Sequence, residues 1–333
     1  MTPIEALHLW EKSNSHNNNT YKYVLALAIL DFVQENRVNS SNEISYDFIL
    51  EKYLHFYWNH VNIYKLRHSV SENQQPKFIT ALKDADIGDE IRTLFFPNLK
   101  KKHPEIVKGL MMELKNQDAY KILRNPISRF NSDYSVNEKS GGDKSGKGWL
   151  FEWSEVEEKI VLDPDNLEYL KKNPVLFQIV TILKCAKFLE DYNVTPHLTD
   201  KIHFEIKRAD FSDRLKHNFN IYIQLFKEDR CFYCEGDLNG YHKDHFIPWE
   251  YVLEHKIWNL VPSCPKCNNG TGGKFIRIPE EKFLDKLLKR NKNLYSIKEF
   301  NLESEFESAA NLEESVIFLY KNALKSGYPL WKR

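Results

Sequence analysis

Two short stretches constrain this chain more than anything else in it: Cys231-Phe-Tyr-Cys234 and Cys264-Pro-Lys-Cys267. Sulfurs two residues apart can grip one side of a tetrahedral ion, and two such pairs complete a closed four-cysteine site. A zinc ion is therefore expected on Cys231, Cys234, Cys264 and Cys267, with the segment between the pairs folded back on itself. Taken alone, the pairs fit a ribbon that only braces a fold. The fifth cysteine, Cys185, stands by itself on an apolar segment and reads as a small buried residue. Scarce cysteine outside the metal stretch suits a reducing cytoplasm and argues against a disulfide framework. No basic start followed by a long apolar run opens the chain, so no signal peptide is expected. The longest aliphatic run, Val24 to Leu30, is far too short to span a bilayer.

Between and beside the cysteine pairs lie residues that a structural zinc site does not need. Asp244-His245 is followed by Ile247-Pro248, then by Asn259-Leu260, then by Asn268 directly after Cys267, then by Lys274. In this order and spacing the segment 229–279 resembles the HNH nucleases, which have a ββα-metal active site. The resemblance implies that His245 is the general base and that Asn259 orients the loop carrying it. It implies that Asp244 and Asn268 hold one hard divalent ion, Mg2+ or Mn2+, through oxygen. Zinc would lie apart, clamping the hairpin to a helix and fixing Asn268 through its neighbour Cys267. Lys274 matches the basic residue that usually follows on that helix. On residue type alone, His245 could instead be a satisfied core histidine or, with His242, a spare zinc ligand. Adjacent strand residues also point to opposite faces, so Asp244 and His245 share a site only if the strand ends there, which Pro248 favours.

The rest of the chain is read from periodicity. At 333 residues it is long enough for two domains. Helices are expected near 3–12, 20–36, 45–68, 76–86 and 103–123, then near 165–172, 174–192, 203–227 and 302–326. A hairpin is expected from 151–153 and 160–162. The aromatics Phe48, Tyr53, Phe56, Tyr57 and Trp58 read as core rather than as a base-stacking platform. Gly141 to Lys147 has phosphate-loop spacing, but Gly148 follows where serine or threonine should stand, so a flexible loop is expected. The fold class is mainly α with a small α+β module. Its parts are a helical region (1–124), a hairpin and helical connector (125–227), the ββα-metal module (228–279) and C-terminal helices (280–333).

Lysine and arginine number 47, and so do aspartate and glutamate, so the whole-chain charge offers a polyanion no attraction. Positive charge has to be local. A helix after Pro279 supplies Lys286, Lys289 and Arg290, which together with Lys274 are expected to contact DNA; a solvated amphipathic face is the plainer alternative. The reading is a cytoplasmic, metal-dependent, nickase-like DNA endonuclease leaving a 5′-phosphate and a 3′-hydroxyl, as the resemblance implies. A non-catalytic zinc module binding nucleic acid or protein, and an HNH ribonuclease, stay open as alternatives. The layout also resembles bacterial restriction and phage-defence nucleases, so other defence proteins are candidate partners and a homodimer stays open. No membrane partner is expected.

Overall fold

The computed structural model describes residues 2–14, 19–36, 41–69, 76–116, 119–130, 135–138, 144–204, 208–227, 229–238, 240–269 and 272–333. The chain divides into two units, Met1–Asn193 with Leu198–Ile206, and Val194–His197 with Lys207–Arg333.

In the first unit, helix α2 (Tyr21–Glu35) is apolar on almost every side and buries Val24 through Leu30 without a break. A helix hydrophobic all round can only be a core element. Around it run α1 (Pro3–Ser13), α3 (Tyr46–Trp58), α4 (Lys77–Asp84), α5 (Asp89–Arg92), α6 (Phe96–Lys102), α7 (Pro104–Asn116) and α8 (Ala119–Phe130). After a sheet come α9 (Pro164–Lys172), α10 (Pro174–Glu190) and α11 (Leu198–Lys201). Tyr53, Phe56, Tyr57 and Trp58 are buried and Phe48 is half-buried, so the aromatic run is core, with Tyr57 stacked on Phe78 at 5.5 Å. Cys185 is fully buried. The break at Asn173-Pro174 falls where expected, with Pro174 at the first position of α10.

The sheet of this unit is antiparallel, in the order β1-β5-β4-β3-β2, from β1 (Glu43–Ser45), β2 (Ser135–Glu138), β3 (Lys144–Lys147), β4 (Phe151–Ser154) and β5 (Lys159–Leu162). The expected hairpin is β4 with β5. The expected loop over 141–147 is corrected in its second half: Lys144–Lys147 is strand β3, paired with both β2 and β4. Gly141 to Asp143 lie outside the described residues. Neighbouring strands outweighed a composition of lysine, serine and glycine, which has little strand propensity of its own.

The second unit opens its regular structure with α12 (Asp213–Phe226), capped by the Ser212 hydroxyl, ten residues later than the periodicity suggested; residues 205–207 lie outside the described ones. Strands β6 (His242–His245) and β7 (Leu260–Ser263) form an antiparallel hairpin, with His245 opposite Leu260. Between them lies α13 (Trp249–Val252), and after them the short α14 (Pro265–Asn268). Strand β8 (Ile278–Pro279) pairs in parallel with β9 (Leu330–Trp331). Helices α15 (Glu281–Tyr295) and α16 (Ala309–Lys325) complete the unit. The expected last helix over 302–326 is shorter, its first residues forming a separate 3-10 turn at Leu302–Ser304. Leu312 and Val316 join the same core as Phe246, Ile247, Leu260 and Ile278, and the Tyr320 hydroxyl donates to the Pro279 carbonyl at 2.7 Å. So α16 packs on the hairpin of its own unit.

Candidate active site

The four cysteine sulfurs converge, all within 4.8 Å of one another. Cys231 and Cys267 are buried; Cys234 and Cys264 are half-buried. The Cys234 and Cys264 sulfurs are 3.8 Å apart, and a tetrahedron with Zn–S bonds of about 2.3 Å has edges of about 3.8 Å. The donor set therefore fits zinc. At Cys231 burial opposes ionisation, but the amides of Cys264, Cys234 and Tyr233 outweigh it and bring the thiol down to about 7. At Cys267 burial and the neighbouring thiols push it up, as a second anion beside a first demands unless a cation joins them. The Phe232 amide donates to the Pro262 carbonyl at 2.9 Å, tying the first cysteine turn to β7. The Cys264 side chain caps α14. His242 is not part of this cluster.

Strand β6 ends at His245. Asp244 is 5% exposed: its Oδ2 accepts from the Tyr233 hydroxyl at 2.5 Å and its Oδ1 from Lys274 Nζ at 3.2 Å. Burial raises its pKa, while Lys274 and Tyr233 pull the other way. Asn259 is fully buried and grips the backbone just past β6. Its Oδ1 accepts from the Ile247 amide at 2.8 Å and its Nδ2 donates to the Ile247 carbonyl at 2.8 Å. A carboxamide matched to both backbone groups of one residue fixes the turn that carries His245.

His245 is 4% exposed and engaged at both ring nitrogens. Arg208 Nη2 lies 3.1 Å from Nδ1, and His255 Nδ1 lies 2.9 Å from Nε2. Phe211 stacks on the ring at 5.8 Å and 14°. Burial, and then the positive charge of Arg208, push its pKa well below the ordinary range, so the ring is neutral near pH 7. Asn268 is half-buried, with Nδ2 3.0 Å from His242 Nδ1. The structure thus brings Asp244 to Lys274 and Tyr233, and Asn268 to His242. Carboxylate and carboxamide oxygens are ligand types that Mg2+ takes, one or two from protein with several waters kept.

Two of the expected DNA contacts are corrected. Lys274 is 1% exposed and donates to Asp244, to the His245 carbonyl at 2.7 Å and to the Phe275 carbonyl at 3.3 Å. Arg290 is 6% exposed and donates to the carbonyls of Leu260 at 2.7 Å and Trp258 at 2.8 Å. A buried cation needs partners, and both have found them on the module's own backbone. Lys286 is surface-lying but holds the Phe232 carbonyl at 2.9 Å and Glu235 at 3.3 Å. Lys289 stays exposed. Sequence reasoning missed Tyr233, Arg208, Phe211 and His255. The one signal on offer was His255, a third imidazole within the module, ten residues after His245.

Residues 231–274 match the family model of the HNH endonuclease. This segment is an HNH module. Neither a curated protein nor a solved structure matches the chain. The HNH family carries a nuclease-type, metal-dependent function and implies nucleic-acid binding. Among the described residues, no helix is long and apolar enough to cross a membrane.

Proposed function

We propose that this protein is a metal-dependent DNA endonuclease that cuts one strand at a time. The observation that carries the reading is the neutral, doubly held His245 at the end of β6, one residue from the buried carboxylate of Asp244. His245 Nδ1 takes the proton from the attacking water. Asp244 and Asn268 would hold Mg2+ or Mn2+, which would supply positive charge for the scissile phosphate and the leaving oxygen. Asn268 has its donor side on His242, leaving its oxygen for the ion. Arg208 must leave Nδ1 before water can reach it. Its guanidinium, which lies over Trp249 at 5.1 Å, has a better partner in the phosphate that substrate brings. Both changes raise the basicity of the ring. Lys274 holds Asp244 and the His245 carbonyl in place.

A single Asp244–His245–Asn268 set cuts one phosphodiester per event, so supercoiled plasmid should pass to open circles before any linear form appears. His245→Ala should abolish nicking while zinc content and DNA binding persist. The assay is plasmid electrophoresis over time with several divalent ions, with an RNA substrate in parallel. Wild-type cleavage by the His245→Ala protein would remove His245 as the base. Binding without cleavage under every ion would leave a non-catalytic zinc module, and cleavage of RNA alone would make the protein a ribonuclease. The helical unit carried ahead of the module supports a setting in restriction or phage defence, tested by phage plating on cells with and without the His245→Ala substitution.

A further inference from the structure

The hydrogen-bond directions around His245 are fixed by chemistry at both ends of a short chain. A guanidinium only donates, so Nδ1 of His245, 3.1 Å from Arg208 Nη2, must be the accepting nitrogen. A neutral imidazole has one acceptor and one donor, so Nε2 carries the hydrogen. That hydrogen faces His255 Nδ1 at 2.9 Å, which must therefore accept. His255 Nε2 is then the donor, and it meets the Ala209 carbonyl at 2.8 Å, an acceptor with no alternative role. Arginine at one end and a carbonyl at the other leave a single assignment for both rings. Phe211 stacks on His245 at 5.8 Å and lies tilted at 49° to His255 at 4.5 Å, and Trp249 lies nearly parallel to His255 at 6.1 Å and 25°.

We propose that His255 is the positioning residue of the base: it takes the Nε2 hydrogen of His245 and so keeps Nδ1 as the lone-pair nitrogen facing substrate. This rests on the reading of His245 as the base. The proton balance is closed. The water proton goes to Nδ1, Nε2 keeps its own hydrogen, and the product is an imidazolium whose Nε2–H still points at His255. A hydrogen bond from a charged donor is the stronger kind, so His255 supports the cation that forms. No proton travels down the chain, because the Ala209 carbonyl at its end cannot take one. His255 is a clamp and not a relay.

Tautomers are read directly by long-range 1H–15N spectra of the full chain labelled with 15N-histidine at one fixed pH, with His245 identified by its loss in His245→Ala. The expected pattern is hydrogen on Nε2 and a bare Nδ1. His255→Leu, which has no acceptor, should lower kcat by about 10–100-fold with KM for DNA unchanged, the usual size for a partner behind a reacting group, and should mix the tautomers in the Arg208→Ala background, where Nδ1 has lost its own donor. His255→Asn places an oxygen near the Nδ1 position; it should restore most of the lost kcat and, in the Arg208→Ala background, the single tautomer. A hydrogen on Nδ1 in the wild-type protein overturns the proposal, and so does a leucine variant as fast as the asparagine one. If the leucine variant fails to fold, the wild-type and asparagine spectra still decide. A protein that cuts nothing, or one that cuts equally well as His245→Ala, defeats the functional reading and leaves the tautomer result standing.

Discussion

Arg290 shows how a residue of the right type can be in the wrong place for its expected task. On a helical wheel it belongs to a row of lysines, and nothing in its own identity separates it from Lys289. What separates them is the core behind α15, where Leu287 and Leu294 are buried and carry Arg290 inward with them. There it donates to two carbonyls at the entry to β7 and lies over the Tyr222 ring at 5.0 Å. Arg290→Ala should therefore strand buried carbonyls and cost about 3 kcal/mol, seen as a lower midpoint in chemical denaturation. Lys289→Ala with Lys292→Ala should move stability by no more than about 0.5 kcal/mol. If this helix tracks a DNA backbone, that pair should also flatten the salt dependence of binding by about one to two counterions. An Arg290→Ala protein as stable as the wild type would show that the clamp does nothing. His245, Asp244 and Asn259 were legible because they lie within one short motif. Arg208 and Phe211 were not, because they reach His245 from more than 30 residues away, and such convergence leaves no local spacing to read.

The hairpin and the short helix behind it are held less by their own hydrogen bonds than by the four cysteines. Strands β6 and β7 have four residues each, and α14 has four, below the length at which either element is stable alone. The sequence announced this element well, since paired cysteines at fixed spacing describe a metal site with little help from the fold. It was silent on the partners that share the load: the Phe232 amide on β7, and Lys286 reaching from α15 to the Phe232 carbonyl. Purified protein should contain about one zinc per chain by elemental analysis. Stripping it with a chelator should release α14, and with it Asn268 and the backbone that Lys274 ties to Cys267. Cleavage should then vanish and not return on adding excess Mg2+, but return on adding zinc. Full activity in zinc-free protein would show that packing alone holds the hairpin.

At the scale of the whole chain, acid stability is set in part by histidines far from the module in sequence. His55, His60 and His68 are buried in the first unit. His60 Nδ1 lies 3.1 Å from His68 Nε2, His68 Nδ1 lies 2.9 Å from the Thr20 hydroxyl, and that hydroxyl meets the Tyr57 hydroxyl at 2.8 Å. At the other end His60 Nε2 meets the Lys201 carbonyl at 3.1 Å. Burial pushes His68 down to about 3; burial and then the Lys52 charge push His55 down to about 3; and burial, then His68, push His60 well down. In the folded chain these rings stay neutral, whereas in the unfolded chain they take up protons near pH 6.5. Below that pH the unfolded state binds more protons, so stability falls with acid and goes on falling until the folded values, near 3 for His55 and His68, are reached. Each ring should cost about 1.4 kcal/mol between pH 7.5 and 5.5, and the three together about 4 kcal/mol. His55 stacks on Phe96 at 4.7 Å and 21°, so His55→Phe replaces it with a ring that does not titrate. That variant should lose about 1.4 kcal/mol less than the wild type over the same interval, measured by urea denaturation at the two pH values. Equal losses would mean that His55 takes its proton in the folded protein.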